Sequence, residues 1–277
     1  MSSIYSAAKL SHVIPVVIGG SLLPYILFPL EDSDQLTIGA VFLQFLSMVV
    51  IYCFLHTIWL SGRPTAEVFG SSLERRRAGN LLLLGIPLVA MSVFCGYVLF
   101  YPLSLVAPDF VKGWLLDGPE LLVPSDRSNA LAINLGMGLL LVILTPIVEE
   151  VVFRGFLLGR MTAKWGAAVG LWLSSLLFAV LHPDTLGALV FALIVGLTRI
   201  KYNSLMAPIL MHAGNNLVVF LWGAVELVVF GIEYEYTLAE FRSYVWVAPI
   251  AGILGLPWLY RFCRREFLQS RLIFSAG

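Results

Sequence analysis

The chain has 277 residues, 59% of them hydrophobic and only 12% charged, and its 17 basic and 17 acidic side chains cancel. A soluble protein of this length needs far more polar surface, and no basic block is dense enough for a nucleic-acid partner. Three scattered cysteines, Cys53, Cys95 and Cys263, with no CxxC pair, argue against a disulfide framework or a thiolate metal site.

Apolar runs long enough to span a bilayer recur along the chain, which predicts an all-α, polytopic membrane protein. The first run, 11–30, follows Lys9 and ends at an acidic EDSD without a small-residue cleavage site, so it reads as a retained helix. The second covers 36–61. The segment 62–79 is polar and basic and reads as a loop with a short interfacial helix. A third run covers 80–106. The connection 107–129 is rich in Pro, Asp and Gly, with Trp114, Leu115 and Leu116 expected at the membrane interface. Further runs follow at 130–160, 166–182, 186–199, 204–223 and 243–261, making about eight spans around an intramembrane polar site. Nothing divides the chain, so 1–277 is expected to be one membrane domain.

The charges between the runs alternate. One set of connections carries Lys9, Arg63, Arg75, Arg76, Arg77, Lys164, Arg199, Lys201, Arg261, Arg264, Arg265 and Arg271. The other carries only Lys112, Arg127 and Arg242, with most of the acids: Glu31, Asp32, Asp34, Asp109, Asp117, Glu120, Asp126, Glu233, Glu235 and Glu240. The positive-inside bias then places both termini in the cytoplasm.

Against this background the stretch TPIVEEVVFRGF, 145–156, is anomalous. A charge at the bilayer centre costs roughly 2.5–3.5 kcal/mol on insertion scales, so residues kept there face the interior and have partners. Glu150 and Arg154 are four apart and share a helix face, whereas neighbouring Glu149 points about 100° away. The pair neutralises itself and leaves Glu149 for other work, such as general-base chemistry in an apolar cavity. Two more helices carry polar faces: Phe178 and His182, with Pro183 ending the helix, and His212 with Asn216. Taken singly, each has a bland reading as an ion pair, a core histidine or interhelical hydrogen-bond glue. His12, His56, Glu226, Ser174 and Ser175 have no partner at helical spacing and read as packing or interface residues.

Depth tests whether the polar faces can meet. At about 1.5 Å per residue, Glu149 lies ~22 Å from Lys164, His212 ~16 Å from Lys201, and His182 ~26 Å from Arg199. His182 reaches the others only if the turn at 182–186 sits inside the protein.

These motifs, EExxxR at Glu149, Glu150 and Arg154, FxxxH at Phe178 and His182, and HxxxN at His212 and Asn216, resemble those of the CPBP family. That family contains type II CAAX prenyl endopeptidases and bacteriocin-processing or self-immunity proteins. The resemblance covers about 140–222, expected as the catalytic core. It implies an intramembrane endopeptidase acting on a membrane-embedded or lipidated peptide. Glu149 and His182 would activate water, His212 and Asn216 would donate to the oxyanion, Glu150 and Arg154 would be the supporting pair, and Phe178 would pack the motif.

Without an HExxH the chemistry reads as metal-free and no cofactor is required; the alternative is a divalent ion such as zinc on Glu149, His182 and His212. The compact motif spacing suggests a prokaryotic plasma membrane. Two readings compete: a transporter or proton relay, which has no need of Asn216, and a non-catalytic self-immunity protein, which has no need of buried carboxylates.

Overall fold

The computed structural model describes residues 5, 8–27, 37–70, 72–117, 121–230 and 237–268. The charges Glu31, Asp32, Asp34, Glu120, Glu233, Glu235 and Arg271, used above in the loop argument, lie outside them. Among the described residues there is no strand. The protein is an all-α, polytopic integral membrane protein. Among the described residues, five helices are long and apolar enough to cross a bilayer: Ile38–Leu60, Arg75–Val106, Ala130–Trp165, Thr185–Tyr202 and Met206–Val229. Leu10–Pro24 and Ala167–Ala179 are shorter apolar helices. The surface is inverted relative to a soluble protein, with Leu181, Val228, Ile253 and Ile26 each more than two-thirds exposed. Such a surface requires hydrocarbon rather than water as its solvent.

In chain order the helices are α1 (Leu10–Leu27), α2 (Ile38–Leu55), α3 (Thr65–Phe69), α4 (Arg75–Leu83), α5 (Gly85–Val106), α6 (Pro108–Val111), α7 (Ala130–Leu139), α8 (Thr145–Glu150), α9 (Leu158–Trp165), α10 (Ala167–Ala179), α11 (Thr185–Tyr202), α12 (Met206–Phe230), α13 (Leu238–Ser243) and α14 (Val247–Cys263). Wider π-helical turns join several of them. His56–Leu60 prolongs α2, Leu140–Leu144 links α7 to α8, and Val151–Leu157 links α8 to α9. The run from Ala130 to Trp165 is therefore one rod whose glutamate-bearing segment is bracketed by two wide turns, a feature that recurs at functional sites.

Three expectations need adjusting. Residues 75–79 are not loop but the first turns of the α4–α5 span, which bends at Leu84. The 107–129 connection contains α6 and a π-helical turn, Lys112–Leu116. Finally, α10 stops at Ala179, so His182 lies beyond the helix, in a turn closed by Leu181 N–H to Phe178 O and His182 N–H to Ala179 O.

Helix α5 packs against α14, α11 and α12, and α12 in turn packs on α4, α8 and the 140–144 turn. The α4–α5 bend meets α12 backbone to backbone: a Cβ on Gly214 would overlap the Leu82 carbonyl, and one on Gly85 would overlap Gly214 itself. That crossing sits two residues from His212 and Asn216, so it sets where both project. On the other flank Tyr5 is fully buried, its ring edge-on to Phe156 and against Gly155, its hydroxyl donating to the Val68 carbonyl. The 8–10 Å separation of ordinary helices is too wide for such glycine contacts, which membrane helices use in place of hydrophobic drive.

Candidate functional site

Glu150 is fully buried on α8, and its Oε2 lies 3.1 Å from Arg154 Nε, at the i, i+4 spacing. Its other oxygen, Oε1, is 2.8 Å from Nδ1 of His212 on α12, 62 positions away. Because Glu150 faces a guanidinium, it is the acceptor and the imidazole Nδ1–H donates. This leaves His212 Nε2 on the far edge of the ring, 3.9 Å from Glu149 Oε2. Both glutamates thus converge on one histidine, a contact the motif spacing did not foretell.

The two carboxylates differ in access. The Glu149 side chain retains 21% exposure and that of Glu150 none. Only Glu149 can meet a ligand, yet its Oε2 is buried without a hydrogen-bond partner. Arg154 is equally incomplete, since both terminal nitrogens lack acceptors. Aromatic faces take their place: the guanidinium lies 4.4 Å from the Phe178 ring centre, 5.9 Å from Phe191 and 6.0 Å from Phe153. Such contacts are worth about 2 kcal/mol or more when desolvated.

Phe178 also carries His182. The two rings stack at 4.2 Å, and His182 Nδ1 lies 2.8 Å from the Phe178 carbonyl, so Nδ1 is the protonated nitrogen and Nε2 holds a lone pair. Edge-on contacts from Phe178 and Phe191 then hold the His212 ring, at 6.0 and 5.1 Å. Through Phe178 the ring of a residue beyond the end of α10 is linked to His212 on α12. The turn bearing His182 is fastened again from outside, by Trp114 Nε1–H to the Pro183 carbonyl at 3.0 Å and Thr185 Oγ1 to the His182 carbonyl at 3.1 Å. Trp114 was expected only at the interface; its aromatic character is the one sequence hint, and its partner is 69 positions away.

Asn216 lies one turn beyond His212 on α12. Its amide donates from Nδ2 to the Leu141 carbonyl at 2.8 Å, and its oxygen accepts from Asn215 at 3.3 Å. One Nδ2 hydrogen is thereby used and a second is free. The structure brings Glu149, Glu150, Arg154, Phe178 and His212 into one connected cluster, with His182 joined through Phe178 and Asn216 one helical turn from His212. His12, His56 and Glu226 stand outside it.

A metal would need three donors with open coordination. Glu149 Oε2 and the Nε2 atoms of His182 and His212 are the open ones, but among the described residues no three His, Cys, Asp or Glu side chains gather closely enough to hold an ion. The set as arranged does not fit zinc.

Residues 131–218 match the family model described as type II CAAX prenyl endopeptidase Rce1-like. That span includes every residue of the cluster. This part of the chain, about a third of it, is similar to the Rce1-like family. Among curated proteins, the chain is 32% identical over 85 residues to the phosphatidylglycerol–prolipoprotein diacylglyceryl transferases of Vibrio vulnificus strains YJ016 and CMCP6. The aligned stretch is 31% of this chain and 31% of each relative, so the chain spans about a third of the length of the curated relatives it matches. No solved structure matches. The Rce1-like segment is about a third of the chain, from α7 into the first half of α12; α1–α6 and α13–α14 fall outside it.

Proposed function

We propose that this chain is an intramembrane endopeptidase of the CAAX type, hydrolysing a peptide bond of a membrane-embedded or lipidated substrate. The observation that carries the reading is the paired geometry at α8 inside the Rce1-like segment: one glutamate fully buried between Arg154 and His212, its neighbour partly exposed with an oxygen that has no hydrogen-bond partner.

In this reading Glu149 is the general base and His182 orients the water through its Nε2 lone pair. The water oxygen attacks the scissile carbonyl carbon, its proton passes to Glu149, and the carbonyl oxygen becomes an oxyanion. The free Asn216 N–H and His212 Nε2 receive it. Because Nδ1–H is already given to Glu150, Nε2 can donate only from the doubly protonated ring. Collapse of the intermediate breaks the C–N bond, and Glu149 returns its proton to the leaving amine. No metal is required, and cleavage is expected to survive chelation.

The protein is placed by this reading in a prokaryotic plasma membrane with both termini cytoplasmic. A second reading comes from the Vibrio relatives: the same base could activate an acceptor group on a protein for diacylglyceryl transfer. The test uses the full chain in nanodiscs containing phosphatidylglycerol, with a farnesylated peptide, an unmodified apolar peptide and a prolipoprotein peptide. Mass spectrometry should find a cleaved peptide, lost in Glu149→Gln and in His182→Ala. A mass gain of one diacylglyceryl unit with no cleavage would replace this reading with the second.

A further inference from the structure

Every backbone carbonyl within a membrane helix needs a donor, since hydrocarbon offers none. The Leu141 carbonyl is denied one by the sequence. In the α register its donor is Thr145 N–H, and in the π register it is the N–H of residue 146. Thr145 N–H is committed to Leu140, the i→i+5 bond that closes the wide turn. Residue 146 is proline and has no N–H. The donor that fills the gap is Asn216 Nδ2, at 2.8 Å, from the facing helix.

We infer that Pro146 is a positioning residue for Asn216: by withholding an N–H it opens the Leu141 carbonyl, which grips the Asn216 amide. The grip settles the amide orientation, because a carbonyl can face only the NH2 end, and the second Nδ2 hydrogen is then turned away from Leu141. Asn215 secures the other end by donating to Asn216 Oδ1. Pro146 is buried three residues before Glu149, so the residue that shapes the rod for the base also aims a donor on α12. The inference rests on the peptidase reading only for its effect on rate.

The test is Pro146→Ala in the full chain in nanodiscs. Restoring the N–H lets the backbone compete for Leu141 O. The side-chain amide resonances of 15N-labelled Asn216, assigned by their loss in Asn216→Ala, should shift and their two protons become more alike. With a peptide substrate, kcat should fall at least about tenfold at unchanged KM, part of the roughly 10²–10³-fold attached to a whole oxyanion donor. Pro146→Ala should have no further effect in an Asn216→Ala background, which a merely structural role would not produce. Unmoved Asn216 resonances, or an equal loss in both backgrounds, would overturn the inference. Shifted resonances in a protein that cleaves no peptide would uphold the grip and sink the peptidase reading instead. Should Pro146→Ala fail to fold, Asn216→Ala is read at the 13C-labelled Leu141 carbonyl. An upfield shift supports the assignment, and no shift refutes it.

Discussion

Two ionic clusters in this molecule show how differently proteins treat charge. At the end of α11, Glu266 accepts from Lys201 Nζ at 2.8 Å, from the Tyr202 hydroxyl at 2.7 Å and from Arg265 Nε at 2.9 Å, while Lys201 also reaches the Glu266 backbone carbonyl. Each Glu266 oxygen is satisfied, and the cluster simply ties the end of α14 to α11. At α8 the charges are deeper and less complete: Glu149 Oε2, Glu150 Oε2 and both terminal nitrogens of Arg154 lack hydrogen bonds. A staple closes its own valences, whereas a site keeps some open for a ligand, and incompleteness at depth is the more informative of the two.

The largest expected effect breaks the comparison at its most open atom. Glu149→Gln should lower kcat by roughly 10²–10⁴-fold, the usual share of a general base, while leaving thermal unfolding in detergent unchanged. Retained cleavage would show that the open carboxylate is idle. Next, Arg154→Ala should destabilise the fold by about 3–5 kcal/mol, because it strands the buried Glu150 and removes the cation from three rings. Equal unfolding of wild type and variant would mean that the pair is not needed to hold the carboxylate.

Between the clusters lies the glycine crossing. Gly214→Ala should cost about 1–3 kcal/mol from forced helix separation and shift His212, lowering kcat together with stability. A variant with wild-type stability would show the crossing to be looser than drawn.

The smallest effect belongs to the staple. Glu266→Gln should change stability by less than about 1 kcal/mol and leave cleavage intact. Burial alone would raise the Glu266 carboxyl, but donation by Lys201, Tyr202 and Arg265 holds it down to about 2, against an ordinary 4.5. The contribution is therefore fully present above about pH 4.5 and is lost as pH falls toward 2, an acid dependence that Glu266→Gln should flatten.

Much of this could be read before any coordinates, and the reason is physical. Apolar runs must be helical in a bilayer, so each of the eight drawn segments is mostly helix where it is described, the exceptions being short stretches such as 180–182 and 244–246. The Glu150–Arg154 contact follows from local spacing, which survives the passage from α8 into a wider turn. What stayed hidden was nonlocal or due to register. His212 to Glu150, Asn216 to Leu141 and Trp114 to Pro183 join residues 62, 75 and 69 apart, and periodicity carries no information about them. The wide turns at 140–144 and 151–157 each displace the helical face by one residue, which no uniform 3.6-residue wheel reproduces.

Tyr5 brings a practical consequence. Its phenol packs over Gly155, one residue past Arg154, and its hydroxyl holds the Val68 carbonyl of the short 65–69 helix. Losing that ring, as in Tyr5→Ala, would open a hollow beside the charged rod and free the 65–69 helix from its phenolic tether. Such a variant is predicted to be looser and more sensitive to protease.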